Sequence, residues 1–172
     1  GVQMCKSINE QIGFVTFIPV IPNTAYGPND NFDLNSSHVL SALIRRIHEA
    51  KEQDSPKVLL WGTGSPKREF VFADDIVDAC ILLLTSRLTN DILPINIGVG
   101  SDISIKSLAE KISRMVGYSG KIKWDKSKPD GTPRKLLDNN RIESIGWKAT
   151  TDFDEGLECT YQWYLKNISQ FQ

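Results

Sequence analysis

The stretch Trp61-Gly62-Thr63-Gly64-Ser65-Pro66-Lys67-Arg68-Glu69-Phe70-Val71-Phe72-Ala73-Asp74-Asp75 constrains the fold more tightly than any other part of this sequence. Lys57 to Trp61 (K-V-L-L-W) reads as a strand, and the Gly-Thr-Gly-Ser-Pro after it is dense turn chemistry. Arg68 to Phe72 reads as a second short strand. Asp74 or Asp75 can then N-cap a helix with apolar positions at Ile76, Val77, Ala79, Cys80, Leu83 and Leu84. The guanidinium of Arg68 is thereby held at the mouth of a tight loop, a placement that suits bidentate binding of phosphate oxygens. On the loop alone, an ordinary hairpin carrying a solvated arginine accounts for the same residues.

The rest of the chain alternates strands and helices with short connections, the pattern of an α/β protein. A helix over 1–11, with Val2, Cys5 and Ile8 on one side, precedes Phe14 to Val20 (F-V-T-F-I-P-V). That apolar run is typical of a strand covered on both faces. The polar segment Ile21–Ser37 is long for a loop in a compact domain, which usually marks function. Helix 38–52 follows, with Val39, Leu40, Leu43, Ile44 and Ile47 inward. After the 61–75 unit come a strand at Pro94–Gly98, a helix capped by Ser104, a strand at Lys121–Trp124 and a polar loop at Lys126–Lys135. A tail helix from about Phe153 to Asn167 places Leu157, Tyr161 and Tyr164 inward. One compact unit over 1–172 is the expectation, with residues 1–25 and about 93–98 contributing to the sheet of a nucleotide fold.

At 172 residues, with 20 basic against 21 acidic side chains, the chain lacks the basic excess of a general nucleic-acid binder. No apolar stretch is long enough to span a bilayer, so neither nucleic acid nor membrane is expected as a partner. Cys5, Cys80 and Cys159 form no C-x-x-C pair. They fit reduced thiols in a cytoplasmic protein better than a disulfide frame, and no metal site is expected. Gly62-Thr63-Gly64 and Gly98-Val99-Gly100 each give only a G-x-G, without the third glycine of a dinucleotide fingerprint. The chain also starts at Gly1 inside a helical pattern, which reads as a fragment or one half of a split protein.

Several stretches together resemble the GDP-fucose synthase branch of the extended short-chain dehydrogenase/reductase (NAD-dependent epimerase/dehydratase) family. They are Tyr26-Gly27-Pro28-Asn29-Asp30-Asn31-Phe32, Asn35-Ser36-Ser37-His38-Val39 and Leu43-Ile44-Arg45-Arg46-Ile47-His48-Glu49-Ala50. To these add Trp61–Asp75, Lys128-Pro129-Asp130-Gly131-Thr132-Pro133-Arg134-Lys135 and Thr160-Tyr161-Gln162-Trp163. The Y-G-P and R-E-F-x-x-x-D-D pieces belong to the wider family, and the N-S-x-H, R-R-x-H-E-A and K-P-D-G-T-P-R-K pieces to the branch.

The resemblance covers the C-terminal portion of such an enzyme: part of a Rossmann-type fold with its smaller substrate-binding lobe. It implies binding of a GDP-sugar, and in the whole enzyme 3,5-epimerisation of GDP-4-keto-6-deoxy-D-mannose and reduction with NADPH. His38 matches the family's acid–base histidine and also adjoins the cofactor. Pro22, Asn23, Thr24 and Ala25 match the segment that approaches the nicotinamide end of NADP. Arg46, Trp61, Arg68 and Lys135 match substrate-binding positions, where two guanidiniums and an ammonium suit a diphosphate and an indole offers a flat face to ribose or base. Two departures stand out: Thr24-Ala25 lies where the family commonly has Asn and a larger apolar residue, and Phe72 replaces a frequent histidine. The catalytic Ser and Tyr-x-x-x-Lys have no counterpart here, since Asp30 stands four residues after Tyr26. The resemblance thus implies a partner half, in cis or trans, and a homodimer for the whole enzyme. A non-catalytic sugar-nucleotide-binding or regulatory subunit and a generic interaction domain remain alternatives.

Overall fold

The computed structural model describes residues 1–86 and 93–171. In chain order it contains α1 (Val2–Ile12), β1 (Val20–Pro22), β2 (Thr24–Tyr26), α2 (Val39–Glu52), β3 (Lys57–Trp61), β4 (Lys67–Arg68) and β5 (Phe70–Phe72). Then follow α3 (Ala73–Thr85), β6 (Ile95–Ile97), β7 (Ile103–Ser104), α4 (Ile105–Val116), β8 (Lys121–Asp125), β9 (Arg134–Lys135), α5 (Asn140–Ser144) and α6 (Phe153–Lys166). The strands form small sheets ordered β1–β6, β2–β5, β3–β8 and β7–β4–β9. The α/β class expected from the alternation is the one observed.

The chain divides into two units. The first contains Gly1–Ala25, Glu69–Ser101 and Leu136–Thr151. Its core joins Val71 of β5, Ala79 and Leu83 of α3, Ile95 and Ile97 of β6, Ile142 of α5, and Trp147. β1 and β6 run parallel, with Val20 opposite Ile95 and Pro22 opposite Ile97. The strand expected over Phe14–Val20 forms only from Val20 onward. The side chain of Asn9 explains why: its Oδ1 accepts from the Thr16 and Phe17 amides (2.9 and 3.0 Å) and its Nδ2 donates to the Phe17 carbonyl (2.8 Å). Those backbone groups are satisfied without a neighbouring strand. Asn9 is accordingly the buried residue of α1, while Val2 and Ile12, expected inward, are exposed.

α3 begins earlier than expected, with Phe72 at the N-cap and Asp74 and Asp75 inside the first turn. Asp75 is no cap. It is buried and accepts from the Thr150 amide and hydroxyl and from the Thr151 amide (3.1, 3.1 and 3.3 Å), tying α3 to the segment before α6. A carboxylate at the positive end of the helix is stabilised there in any case. Val77 and Leu84, also expected inward, are exposed.

The second unit contains Tyr26–Arg68, Asp102–Lys135 and Asp152–Gln172. β3 and β8 pair in parallel from Lys57↔Lys121 to Trp61↔Asp125, and along β3 only Val58 and Leu60 are buried, as the two-residue period of a half-buried strand requires. Leu40, Leu43, Ile44 and Ile47 of α2 and Leu108, Ala109, Ile112 and Val116 of α4 supply much of its core. α4 starts where Ser104 was expected to cap it, the Ser104 hydroxyl oxygen accepting from the Ser107 amide at 3.0 Å. Asp152 does the same for α6 through the Asp154 and Glu155 amides. His48 is buried edge-on against Tyr161 and Tyr164, with Nδ1 3.1 Å from the Tyr161 hydroxyl. Burial pushes its pKa down.

Candidate functional site

The second unit places the expected substrate residues around one polar loop. β4 sits between β7, antiparallel, and β9, parallel. The register sets Lys67 opposite Arg134 and Arg68 opposite Lys135. Successive residues of a strand face opposite sides, so the four cations separate into two pairs. Lys67 and Arg134 share Asp102 as a salt-bridge partner. Among the described residues neither Arg68 nor Lys135 makes an ion pair. Arg68 is held by its Nη1, which donates to the Lys67 and Thr132 carbonyls (2.7 and 2.6 Å).

Arg46 lies on α2 with its guanidinium 5.9 Å from the ring centre of Trp61, the last residue of β3. Trp61 is 66% exposed, so the indole presents a large flat surface to solvent. A cavity of about 440 Å³ runs beside it, lined by Ser37, Val39, Leu43, Arg46, Leu59 and Trp61 among others. Ser37 Oγ is buried there with no hydrogen-bond partner. His38 stands between two of these lining residues as the N-cap of α2, with extended backbone and an exposed side chain. The loop before it is folded by its own polar groups. Asp33 Oδ1 accepts from the Asn35 and Ser36 amides and the Ser36 hydroxyl at 3.0 Å each, and Phe32 anchors it among Trp163, Tyr164 and Phe171. The amides of Asn35 and Ser36 and the Ser36 hydroxyl hold the Asp33 carboxyl below its usual pKa.

Two residues not singled out from the sequence complete this arrangement. Lys128 Nζ lies 5.7 Å from the Trp61 ring centre. Asp130 accepts from the Thr63 amide at 2.8 Å and the Thr63 hydroxyl at 2.6 Å. The two glycines of the G-T-G turn follow from this packing. Both have φ near +80°, at +78° for Gly62 and +77° for Gly64. A β-carbon on Gly62 would collide with Asp130 Oδ1, and one on Gly64 would lie 2.7 Å from Trp124.

In the first unit the expected cofactor segment Pro22-Asn23-Thr24-Ala25 follows β1, whose carboxyl end lies beside that of β6. The Asn23 amide N–H donates to the Ile97 carbonyl at 2.9 Å, and Asn23 Oδ1 accepts from the Thr24 amide at 2.9 Å. Asn23 Nδ2 donates to Glu69. The single strand expected over Arg68–Phe72 is interrupted at this glutamate, which is wholly buried. Its Oε1 accepts from the Val99 and Gly100 amides (2.7 Å each), and its Oε2 also accepts from the Leu137 amide at 3.0 Å. Four N–H donors around one carboxylate are what a buried charge needs when no cation pairs with it. The one available signal was a charge set between Arg68 and the apolar F-V-F. With the Asn23 side chain spent internally, the segment offers a ligand its backbone and its neighbours.

Comparison with known proteins identifies the family. The NAD dependent epimerase/dehydratase family model matches residues 1–98. The probable GDP-L-fucose synthase 1 of Oryza sativa subsp. japonica is 48% identical over 168 residues, covering 98% of this chain and 50% of that protein. The GDP-L-fucose synthase of Escherichia coli (strain K12) is 44% identical over 179 residues, covering all of this chain and 56% of its own length. A GDP-L-fucose synthetase from Naegleria fowleri, solved bound to NADP, superposes with a TM-score of 0.84 at 27% identity, over 98% of this chain and 54% of that one. The chain therefore spans about half the length of the curated relatives it matches. Matched by the family model over more than half of its residues, and by these relatives across almost all of them, this chain belongs to the NAD dependent epimerase/dehydratase family.

Proposed function

We propose that this chain is the sugar-nucleotide-binding portion of a GDP-L-fucose synthase-like enzyme. The observation that carries the reading is a set of cations without acids: Arg68 beside Lys135, in the same unit as Arg46 over Trp61. Their linkage is local, since the loop 126–133 reaches Trp61 through Lys128, Thr63 through Asp130 and Arg68 through Thr132. Guanidiniums left without carboxylates suit a diphosphate, and the exposed indole suits the ribose or base.

In the whole protein the reaction is 3,5-epimerisation of a GDP-4-keto-6-deoxyhexose and reduction of its 4-keto group. His38 moves a proton at a sugar carbon next to the carbonyl, and its place at an exposed helix N-cap supports that role. Pro22, Asn23, Thr24 and Ala25 fit the nicotinamide end of NADP, because they follow a parallel strand at its carboxyl end, where open α/β sheets bind ligands. NADPH, when bound, supplies the hydride for reduction. Free Cys5, Cys80 and Cys159 support a reducing, cytoplasmic setting. No helix among the described residues is long and apolar enough to cross a membrane.

Titration calorimetry with GDP, GDP-mannose and UDP tests the reading: binding of both GDP ligands supports it, and no binding of any nucleotide overturns it. A second reading is a non-catalytic sugar-nucleotide-binding subunit of the same fold. Assay of NADPH oxidation, with and without the N-terminal half of a relative, separates the two. Turnover restored by the added half supports the synthase portion, and silence in both supports the binder.

A further inference from the structure

The loop 126–133 is tied down at three points. At its start Asp125 Oδ1 accepts from the Ser127 amide (3.0 Å) and hydroxyl (2.6 Å). In the middle Asp130 clasps the Thr63 amide and hydroxyl, and the Thr63 hydroxyl oxygen, its hydrogen so used, lies 2.7 Å from Ser65 Oγ. At its end the Thr132 carbonyl accepts from Arg68 and the Pro133 carbonyl from the Lys67 amide at 2.8 Å. All of these groups belong to the second unit. The hydroxyl and amide of Thr63 hold the Asp130 carboxyl below its ordinary pKa, so the clasp stays charged at neutral pH.

Resting on the diphosphate reading above, we infer that Asp130 is a positioning residue that latches this loop onto Thr63 and so presents Lys128 as a further phosphate-binding cation. Lys128 and Arg46 each lie within 6 Å of the Trp61 ring centre (5.7 and 5.9 Å). Neither makes an ion pair among the described residues. Two cations gathered at one exposed aromatic surface raise the local potential for an anion. Gly62, which leaves room for the Asp130 carboxylate, is part of the same device.

The sign of the effect makes the latch testable. As a bystander, Asp130 would repel a diphosphate, and Asp130→Ala would tighten anion binding; as a latch, its loss weakens binding because Lys128 is released. Calorimetry with GDP and with inorganic pyrophosphate, compared for wild type, Lys128→Ala, Asp130→Ala and the double variant, decides between them. Each single variant is expected to weaken both ligands by about ten- to a hundredfold, the range of one charge-assisted contact. The double variant is expected to be no weaker than either alone. Measured at a pH high enough to ionise it fully, pyrophosphate offers a carboxylate no hydrogen-bond donor, so its weakening by Asp130→Ala there reports positioning and not a direct contact. Hydrogen exchange at the Thr63 amide, read without ligand, is expected to be slow in wild type and fast in Asp130→Ala. Unchanged or tighter binding in Asp130→Ala overturns the latch and leaves the nucleotide reading standing. Failure of wild type to bind GDP or pyrophosphate overturns that reading, and the role of Lys128 with it.

Discussion

Arg68 and Lys135 are register partners across two parallel strands, one residue on from Lys67 and Arg134. The neighbouring pair shares the one carboxylate of Asp102, whereas Arg68 and Lys135 make no ion pair among the described residues. Leaving one of two adjacent cation pairs without a carboxylate costs some repulsion and reserves it for an anion from outside.

Arg68→Ala is expected to weaken GDP-sugar binding by about 1–3 kcal/mol, the range for a charge-assisted hydrogen bond. Lys135→Ala should fall in the same range, with the double variant losing less than the sum, because both heads serve one diphosphate. Calorimetric affinities for the four proteins check this, and strict additivity would argue for separate sites.

Glu69→Gln is expected to destabilise the protein by about 3 kcal/mol, since an amide NH₂ would face two of the donors that now meet a carboxylate oxygen. Urea denaturation measures it. Stability equal to wild type would show that the four donors find other acceptors in the variant.

Gly98→Ala should cost about 1–3 kcal/mol through overpacking around the same carboxylate. A β-carbon there would lie 2.5 Å from Glu69 Oε1 and 2.8 Å from Asn139 Oδ1. The thermal midpoint of the variant, compared with that of wild type, reads the crowding; an unchanged midpoint would show that the two side chains simply move aside.

His48 sets a pH dependence in the acidic direction. Burial among Tyr161 and Tyr164 depresses its pKa below the ordinary 6.5, with Glu52, Lys51 and Glu49 as smaller influences. The unfolded chain therefore takes up the proton first as pH falls. Stability is full above about 6.5 and declines below it until the folded-state pKa is passed. Chemical denaturation from pH 7.5 to 5 should show this decline in wild type and a flatter profile in His48→Gln. Equal slopes would assign the effect to other groups.

Much of the fold was legible because its signals are local. Alternation placed β3 over Lys57–Trp61, the hydroxyl of Ser104 marked the start of α4, and Leu157, Tyr161 and Tyr164 at helical spacing were read correctly as the buried side of α6. The errors share a cause, which is a side-chain partner that neither helical nor strand periodicity reveals. Residues 14–19 are as apolar as a strand, but Asn9 satisfies Thr16 and Phe17 instead. Asp75 resembles a cap, yet its partners at Thr150 and Thr151 lie more than seventy positions away.

Composition and local spacing by themselves determined an α/β chain with an arginine fixed behind a glycine turn, because turn chemistry, capping and periodicity act over a few residues. Tertiary structure alone decided which charges are spent internally and which remain for a ligand. Asp102 takes Lys67 and Arg134, Glu69 gathers four N–H donors, and Asp130 takes Thr63, leaving Arg46, Arg68, Lys128 and Lys135 without an ion pair among the described residues. A charge is neutralised by what comes within a few ångströms of it, and across 30 or more positions only the folded chain sets that distance.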